Sequence, residues 1–269
     1  MTFQAPSRVI ANQKLGEDCF KLRLFCPQVA RACRAGHFIH IQVNSFPYPL
    51  LRRPMSIYKS DGKKTIEVVF RVIGVGTGLL SQKTEGEELE ILGPLGNQFT
   101  PLAAGEIAVM AAGGLGIVPV YYYALELEKQ KLEKQVYFVY GAKNKSELYC
   151  REDTEKLKSK VRYSTDDGSH GFKGYLTQLL DQLIAKEKLD KNKIRIFGCG
   201  PDPMLESLSK YSKQNNLFCE LSLEVGMPCG MGTCMGCVVK CADGQAGEVT
   251  FKRVCVDGPI FRVPEVIFG

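Results

Sequence analysis

The chain has 269 residues, a net charge of +6 and an ordinary balance of apolar (45%) and charged (24%) residues, which suits a globular protein of two domains with room for a small third. Its lysines are spread along the chain and form no basic stripe, which excludes a nucleic-acid footprint. Eleven cysteines with no secretory signal point to a reducing cytoplasm and argue against a disulfide framework.

The first hundred residues alternate short β-rich runs with turns. Val9–Ile10, Phe20–Phe25, His37–Val43, Met55–Tyr58, Ile66–Val72 and Glu88–Leu92 are the strand candidates, bounded by Gly, Pro and Asp. Many short strands with few helical patterns predict an antiparallel barrel or sandwich. A short helix is expected at Gly78–Leu80, and a linker at Pro101–Glu106. The pattern then changes to strand and helix in alternation. Strands are expected near Ile107–Ala111, Val136–Tyr140, Val161–Ser164 and Lys193–Phe197. Helices are expected over Val118–Lys131, Arg151–Ser159, Leu176–Lys186 and Pro203–Asn215. That alternation predicts a parallel α/β sheet covered on both faces. The uncharged run Ile107–Leu125 is nearly long enough to span a bilayer, but Gly113, Gly114, Gly116 and Pro119 break it, so a buried strand, turn and helix are expected and no membrane span.

Two glycine-rich turns lie at the ends of predicted parallel strands: Ala112-Gly113-Gly114-Leu115-Gly116, and Gly198-Cys199-Gly200-Pro201. Ligands of open α/β sheets bind at that edge, and glycines let a backbone approach a pyrophosphate at a helix N-terminus. The first turn is not the strict dinucleotide fingerprint, and a plain strand-to-helix turn would read the same way.

The last segment carries Cys229, Cys234, Cys237 and Cys255. The first three have the C-x4-C-x2-C spacing of a plant-type 2Fe–2S site, with the fourth following after a separate turn and strand. Gly230, Gly232 and Gly236 are interleaved with them, so the backbone can fold around an inorganic core and aim N–H groups at sulfur. Zinc and disulfides are the competing readings; structural zinc shows two separated close pairs, and here there is one. Cys241, beside a turn expected at Asp243-Gly244, reads as a bystander, and most of the remaining cysteines as reduced thiols behaving as small hydrophobes.

Four motifs carry a resemblance to a known family: RRPMSIY (52–58), GVGTGLLS (74–81), AAGGLGIVP (111–119) with FGCGPDPM (197–204), and LEVGMPCGMGTCMGC (223–237) with VCVDGPIF (254–261). In order and over nearly the full length, they resemble the ferredoxin–NADP reductase superfamily with a C-terminal iron–sulfur segment, and within it the electron-transfer subunits of class 1B dihydroorotate dehydrogenase. The resemblance implies a multidomain fold: an antiparallel β-barrel FAD domain (1–100), an α/β parallel-sheet NAD domain (101–220) and a small 2Fe–2S segment (221–269). It implies FAD at Arg53, Pro54, Met55 and Ser56 and at Gly74, Gly76 and Thr77. It implies NAD at Gly113, Gly114, Gly116, Asp166, Cys199 and Gly200, with Cys199 near the nicotinamide. The cluster would take Cys229, Cys234, Cys237 and Cys255. Arg53 suits a pyrophosphate because its fork matches phosphate oxygens, though a surface salt bridge is the plainer reading of any single arginine. GPLGNQF (93–99) matches the superfamily's end-of-barrel turn. Acidic residues in the TDDGS loop (165–169) disfavour a 2′-phosphate and favour NAD over NADP, although Lys143 and Lys145 could reach the ribose too.

The implied partner is an FMN-containing dihydroorotate dehydrogenase catalytic subunit, in a heterotetramer of two of each chain. Electrons would pass from its FMN through the 2Fe–2S cluster and FAD to NAD+, in pyrimidine biosynthesis. No residue set for dihydroorotate oxidation itself is visible in this chain. The alternative is an NAD(P)H-dependent reductase module serving ferredoxin, a sulfide dehydrogenase or a hydrogenase. Some of those relatives have aspartate where Cys229 stands, so the all-cysteine set favours the first reading. A third possibility is a redox sensor without turnover, against which the intact glycine loops argue. The proline-rich stretch Phe46–Leu51 departs from the pattern before the flavin motif.

Overall fold

The computed structural model describes residues 1–44, 48–242 and 248–268, so part of the proline-rich stretch (Phe46 and Pro47) and the turn at Asp243-Gly244 lie outside the described residues. The chain divides into two compact units. Met1–Gln98 with Glu224–Val238 and Lys252–Pro259 forms the first; Phe99–Leu223 with Val239–Phe251 and the chain from Ile260 onward forms the second.

The first unit is built on β1 (Phe3–Lys14), β2 (Cys19–Phe25), α1 (Pro27–Ala32), β3 (Phe38–Gln42), β4 (Arg53–Ser60), β5 (Thr65–Arg71), α2 (Val75–Ser81) and β6 (Glu88–Leu95). Its strands close into an antiparallel barrel in the order β1-β2-β5-β4-β3-β6. Leu22, Leu24, Ile39, Ile41, Ile57, Ile66, Val68 and Ile91 have no exposed surface. Burying each such side chain contributes about 1.5–3 kcal/mol. The strand expected at Val9–Ile10 runs far longer, over Phe3–Lys14. Its first half has modest β-propensity, but β2 and β6 pair with it on either side, and Ser7 Oγ donates to the Leu89 carbonyl at 2.9 Å.

The second unit contains β7 (Ile107–Gly113), α3 (Ile117–Lys129), β8 (Val136–Ala142), α4 (Arg151–Thr154), β9 (Lys160–Thr165), β10 (Phe172–Lys173), α5 (Leu176–Lys186), β11 (Ile194–Cys199), α6 (Asp202–Gln214), β12 (Phe218–Ser222) and β15 (Ile260–Arg262). They form a seven-stranded sheet, β10-β9-β8-β7-β11-β12-β15, parallel except for β15. The strands β13 (Val238–Ala242) and β14 (Val249–Arg253) pair separately. The run Ile107–Leu125 is apolar because β7 is a buried central strand and the first eight residues of α3, Ile117–Ala124, are buried. No helix among the described residues is long and apolar enough to cross a membrane.

Two differences from expectation have local causes. The helix expected over Arg151–Ser159 stops at Thr154, whose hydroxyl bonds back to the Arg151 carbonyl at 2.7 Å, while the Lys158 N–H turns to Glu128 Oε1 at 2.7 Å. The strand β12 was hidden by Glu220, a carboxylate at a core position. Glu220 is 4% exposed and accepts from the Thr100 N–H at 2.9 Å and from the Thr100 hydroxyl. An aromatic group of Phe99, Tyr123 and Phe197 packs in the same unit, with the Tyr123 hydroxyl donating to the Thr100 carbonyl at 2.6 Å.

Candidate functional site

In the second unit, β7 is followed in the sheet by β8 on one side and β11 on the other, so the loops after β7 and β11 leave in opposite directions. Crevices at such reversals bind ligands at the carboxyl ends of the strands. The two glycine loops meet there. A Cβ on Gly116 would lie 2.1 Å from the Cys199 carbonyl oxygen, and one on Gly113 would lie 2.3 Å from Met204 Sδ. A Cβ on Gly200 would strike the same sulfur at 2.7 Å. Gly114 has φ +52°, and a Cβ there would meet nothing within 4 Å. Its backbone is therefore both left-handed and open on one side, a conformation glycine adopts without steric cost. The Tyr140 hydroxyl shares its one hydrogen between the Gly114 and Tyr149 carbonyls, 3.0 Å from each, and tethers the loop.

Cys199 ends β11 and is buried. Asp166 follows β9 at the same sheet edge; its side chain is exposed and its N–H donates to the Ala142 carbonyl at 3.1 Å. Asp167 instead orders the loop, accepting from the Ser169 N–H (2.9 Å) and hydroxyl (2.6 Å), and these bonds hold its carboxyl below the usual range. Lys143 and Lys145 are exposed beside it.

In the first unit, Arg53 opens β4, and its guanidinium lies against the start of α2: a Cβ on Gly76 would be 2.3 Å from Arg53 Nε. Only glycine at 76 leaves the fork in place. Arg53 also donates to the Leu51 carbonyl. Thr77 works within its own loop. Its Oγ accepts from the Ile73 and Gly74 N–H groups at 2.9 and 3.2 Å and donates to the Gly74 carbonyl at 3.0 Å. Along β4, Pro54 faces His40 and Ser56 faces Phe38 across the ladder, while Met55 faces Ile39. Directly opposed residues share a face of the sheet, so Pro54, Ser56, Phe38 and His40 lie on one face and Met55 on the other.

The cysteine loop belongs to this unit. Gly230 and Gly232 have φ +69° and +85°, and the Gly236 N–H donates to Cys234 Sγ at 3.4 Å. The N–H groups of Met231, Cys234 and Thr233 bond to the Cys229 sulfur; led by Met231, they push its thiol pKa down against the opposing effect of burial. Burial, then the neighbouring Cys237 thiol, pushes Cys255 up, while the Gly232 N–H bonds to it. The Val254 N–H donates to the Cys237 carbonyl at 2.9 Å and ties the fourth cysteine's segment to the loop. The end-of-barrel turn holds it as well: the Asn97 N–H donates to the Gly258 carbonyl at 2.7 Å.

Among the described residues, no three His, Cys, Asp or Glu side chains are placed to hold a single metal ion. The four thiols lie on two segments of one compact unit, and backbone N–H groups bond to the sulfurs of Cys229, Cys234 and Cys255. Four cysteines ringed by N–H donors are a donor set that an iron–sulfur cluster takes. None of the eleven cysteines forms a disulfide, and Cys241 is buried in β13, where it makes an isolated bridge to Val266. One functional candidate escaped the sequence: His40, fully buried on β3 with the ring against Gly230 of the cysteine loop. Burial, and then Arg52, holds its pKa down at about 4, so it is neutral. The only signal in the sequence is a lone imidazole in the apolar run FIHI.

Residues 224–267 match the iron–sulfur cluster binding domain of dihydroorotate dehydrogenase B, and residues 110–210 match the oxidoreductase NAD-binding domain. The chain is 35% identical over 265 residues to the dihydroorotate dehydrogenase B (NAD(+)) electron transfer subunit of Desulforamulus reducens, covering 97% of each. It is 34% identical over 268 residues to the subunit of that name from Caldanaerobacter subterraneus, covering 100% of each. Among solved structures, it resembles the NADH-dependent reduced ferredoxin–NADP oxidoreductase studied for flavin-based electron bifurcation, with TM-score 0.83 and 28% identity over 98% of this chain and 90% of that one. The ferredoxin reductase of carbazole 1,9a-dioxygenase shares the fold, with TM-score 0.68 and 19% identity over 80% of this chain and 67% of that one. With a third of its residues identical to those relatives along its whole length, and a matching cluster-binding segment, the chain belongs to the family of electron-transfer subunits of dihydroorotate dehydrogenase B (NAD(+)).

Proposed function

We propose that this chain works in the cytoplasm as the electron-transfer subunit of an NAD-linked dihydroorotate dehydrogenase in pyrimidine biosynthesis, paired with an FMN-containing catalytic subunit as a heterotetramer of two of each. When bound, FAD supplies exchange of a hydride with NAD and of single electrons with a 2Fe–2S cluster, which links the partner's FMN to NAD+. The protein's part is to bind and orient these groups. Residues 1–100 hold FAD, 101–220 hold NAD and 221–269 hold the cluster.

Arg53 presents a fixed two-pronged donor to the FAD pyrophosphate, and Gly76 leaves it the room to do so. Gly74 and Thr77 shape that loop, and Pro54, Met55 and Ser56 line the strand beside the isoalloxazine, with the Ser56 hydroxyl available as a donor. Gly113, Gly114, Gly116 and Gly200 let the NAD pyrophosphate and nicotinamide approach backbone, Cys199 stands near the nicotinamide, and Asp166 faces the adenosine ribose, where a carboxylate disfavours a 2′-phosphate. Cys229, Cys234, Cys237 and Cys255 are the cluster ligands.

The observation that carries the reading is that both cysteine-bearing segments fold into one compact unit, tied by the Val254 N–H to the Cys237 carbonyl at 2.9 Å, with the Arg53–Gly76 cradle in the same unit. The test is an anaerobic titration with NADH and then NADPH, following flavin absorbance and the EPR signal of the reduced cluster. NADH should bleach the flavin and raise the cluster signal. Flavin bleaching with no cluster signal, even after dithionite, would overturn the assignment of the four cysteines. The likeness to the ferredoxin–NADP oxidoreductase favours a second reading, a reductase module serving another carrier. Co-purification with an FMN protein separates the two.

A further inference from the structure

His40 is the one imidazole of this chain that has no exposed surface, and among the described residues neither Nδ1 nor Nε2 has a hydrogen-bond partner. A buried polar group left unpaired costs about 1–3 kcal/mol, so native proteins pair nearly all of them. What surrounds the ring explains the gap. Its neighbours across the ladder are Pro54, which has no N–H, and Leu92. The Phe38 ring lies edge-on at 5.9 Å. On the remaining side is the cysteine loop: a Cβ on Gly230 would lie 2.6 Å from both Cε1 and Nε2. Gly230 follows Cys229 directly and has φ +69°, so the loop reaches the ring with bare backbone. The Cε1–Nε2 edge therefore faces the cysteine loop. On the same face of the sheet, one strand away, stand Pro54 and Ser56 of the flavin strand.

We propose that His40 is a positioning residue whose Nε2–H donates a hydrogen bond to a sulfur of the cluster held at Cys229, setting the cluster potential from the barrel side. This rests on the reading that a cluster is bound there. Hydrogen bonds to the sulfurs tune the potential of iron–sulfur centres. A donor favours the form carrying the extra electron, so its loss lowers the potential. The barrel strand that positions the flavin would thereby also set how readily the cluster accepts an electron.

The test uses the full chain with its cofactors, in wild-type, His40→Leu and His40→Gln forms. Iron and sulfide content come first: a wild-type protein that holds neither fails the cluster reading, not this one. An EPR-monitored potentiometric titration then gives the cluster and flavin potentials separately. His40→Leu should make cluster reduction about tenfold less favourable, which is 59 mV for one electron, with the flavin unmoved. His40→Gln, whose amide nitrogen can take the place of Nε2, should restore most of the shift. An unchanged cluster potential in fully loaded His40→Leu overturns the proposal. So does a shift confined to the flavin, or an equal shift in both variants. If the variants do not load, pulsed EPR of the reduced wild-type cluster decides, using protein with 15N-labelled histidine and His37→Gln as background. A histidine-nitrogen coupling supports the proposal, and its absence overturns it.

Discussion

Gly116→Ala separates the two things a glycine can do in a nucleotide loop. Gly116 has φ −60° and ψ −7°, a conformation that alanine prefers, so backbone strain plays no part. Gly116 is the N-cap of α3, where alanine is less favoured than glycine by about 1 kcal/mol. Packing adds a larger cost. The new Cβ would sit 2.1 Å from the Cys199 oxygen, 2.2 Å from its carbonyl carbon and 2.4 Å from the Gly200 nitrogen, against a normal separation of about 3.5–4.0 Å between carbons. All three obstacles are backbone, so no side chain can swing aside, and the two glycine loops must part by more than an ångström. Overpacking of this kind costs about 3 kcal/mol, which in a unit of this size lowers Tm by about 6–12 °C. NADH affinity should fall with it, because both loops line the same sheet edge. Differential scanning calorimetry and NADH titration measure the two effects. Gly114→Ala is the contrast: its Cβ would meet open space, so it should lose about 1–2 kcal/mol from its φ of +52° alone. A Gly116→Ala protein that melts with the wild type and binds NADH equally would refute the close approach of the loops.

Three further outcomes are expected. Cys229→Ser should abolish the reduced-cluster EPR signal and electron exchange with the proposed catalytic subunit, yet keep NADH oxidation by an artificial acceptor; NAD reduction by dihydroorotate in that mutant complex would sink the relay. Arg53→Ala should weaken FAD binding by about 10- to 100-fold, the worth of one charge-assisted hydrogen-bond pair, as read by flavin fluorescence on dilution. Stability should also fall as pH drops from about 6.5 to about 4, since burial, then Arg34 and the N-terminus, holds the folded His37 down at about 4. In that window the unfolded chain takes up a proton that the folded one refuses, so this contribution is complete above pH 6.5 and lost below it. Urea unfolding across this range should show a flatter profile for His37→Gln, and parallel profiles for mutant and wild type would count against it.

Local pattern was enough for the two-part architecture, the helix at Leu176–Lys186 and the cysteine spacing, because strand and helix periodicity and ligand spacing are properties of neighbours along the chain. It also marked both glycine loops, since Gly113, Gly114, Gly116 and Gly200 stand out wherever they fold. It did not show β12, because Glu220 in a core position contradicts local pattern and is explained only by Thr100, far away in sequence. Nor did it show that Gly116 faces the Cys199 carbonyl while Gly114 faces open space. The Arg53–Gly76 contact, the bond from Val254 to Cys237 that ties the segment of Cys255 to the loop, and the burial of His40 under Gly230 likewise arise only in the folded chain. Each depends on two segments brought together by the closed barrel and the wound sheet, and no single stretch of residues carries that distance.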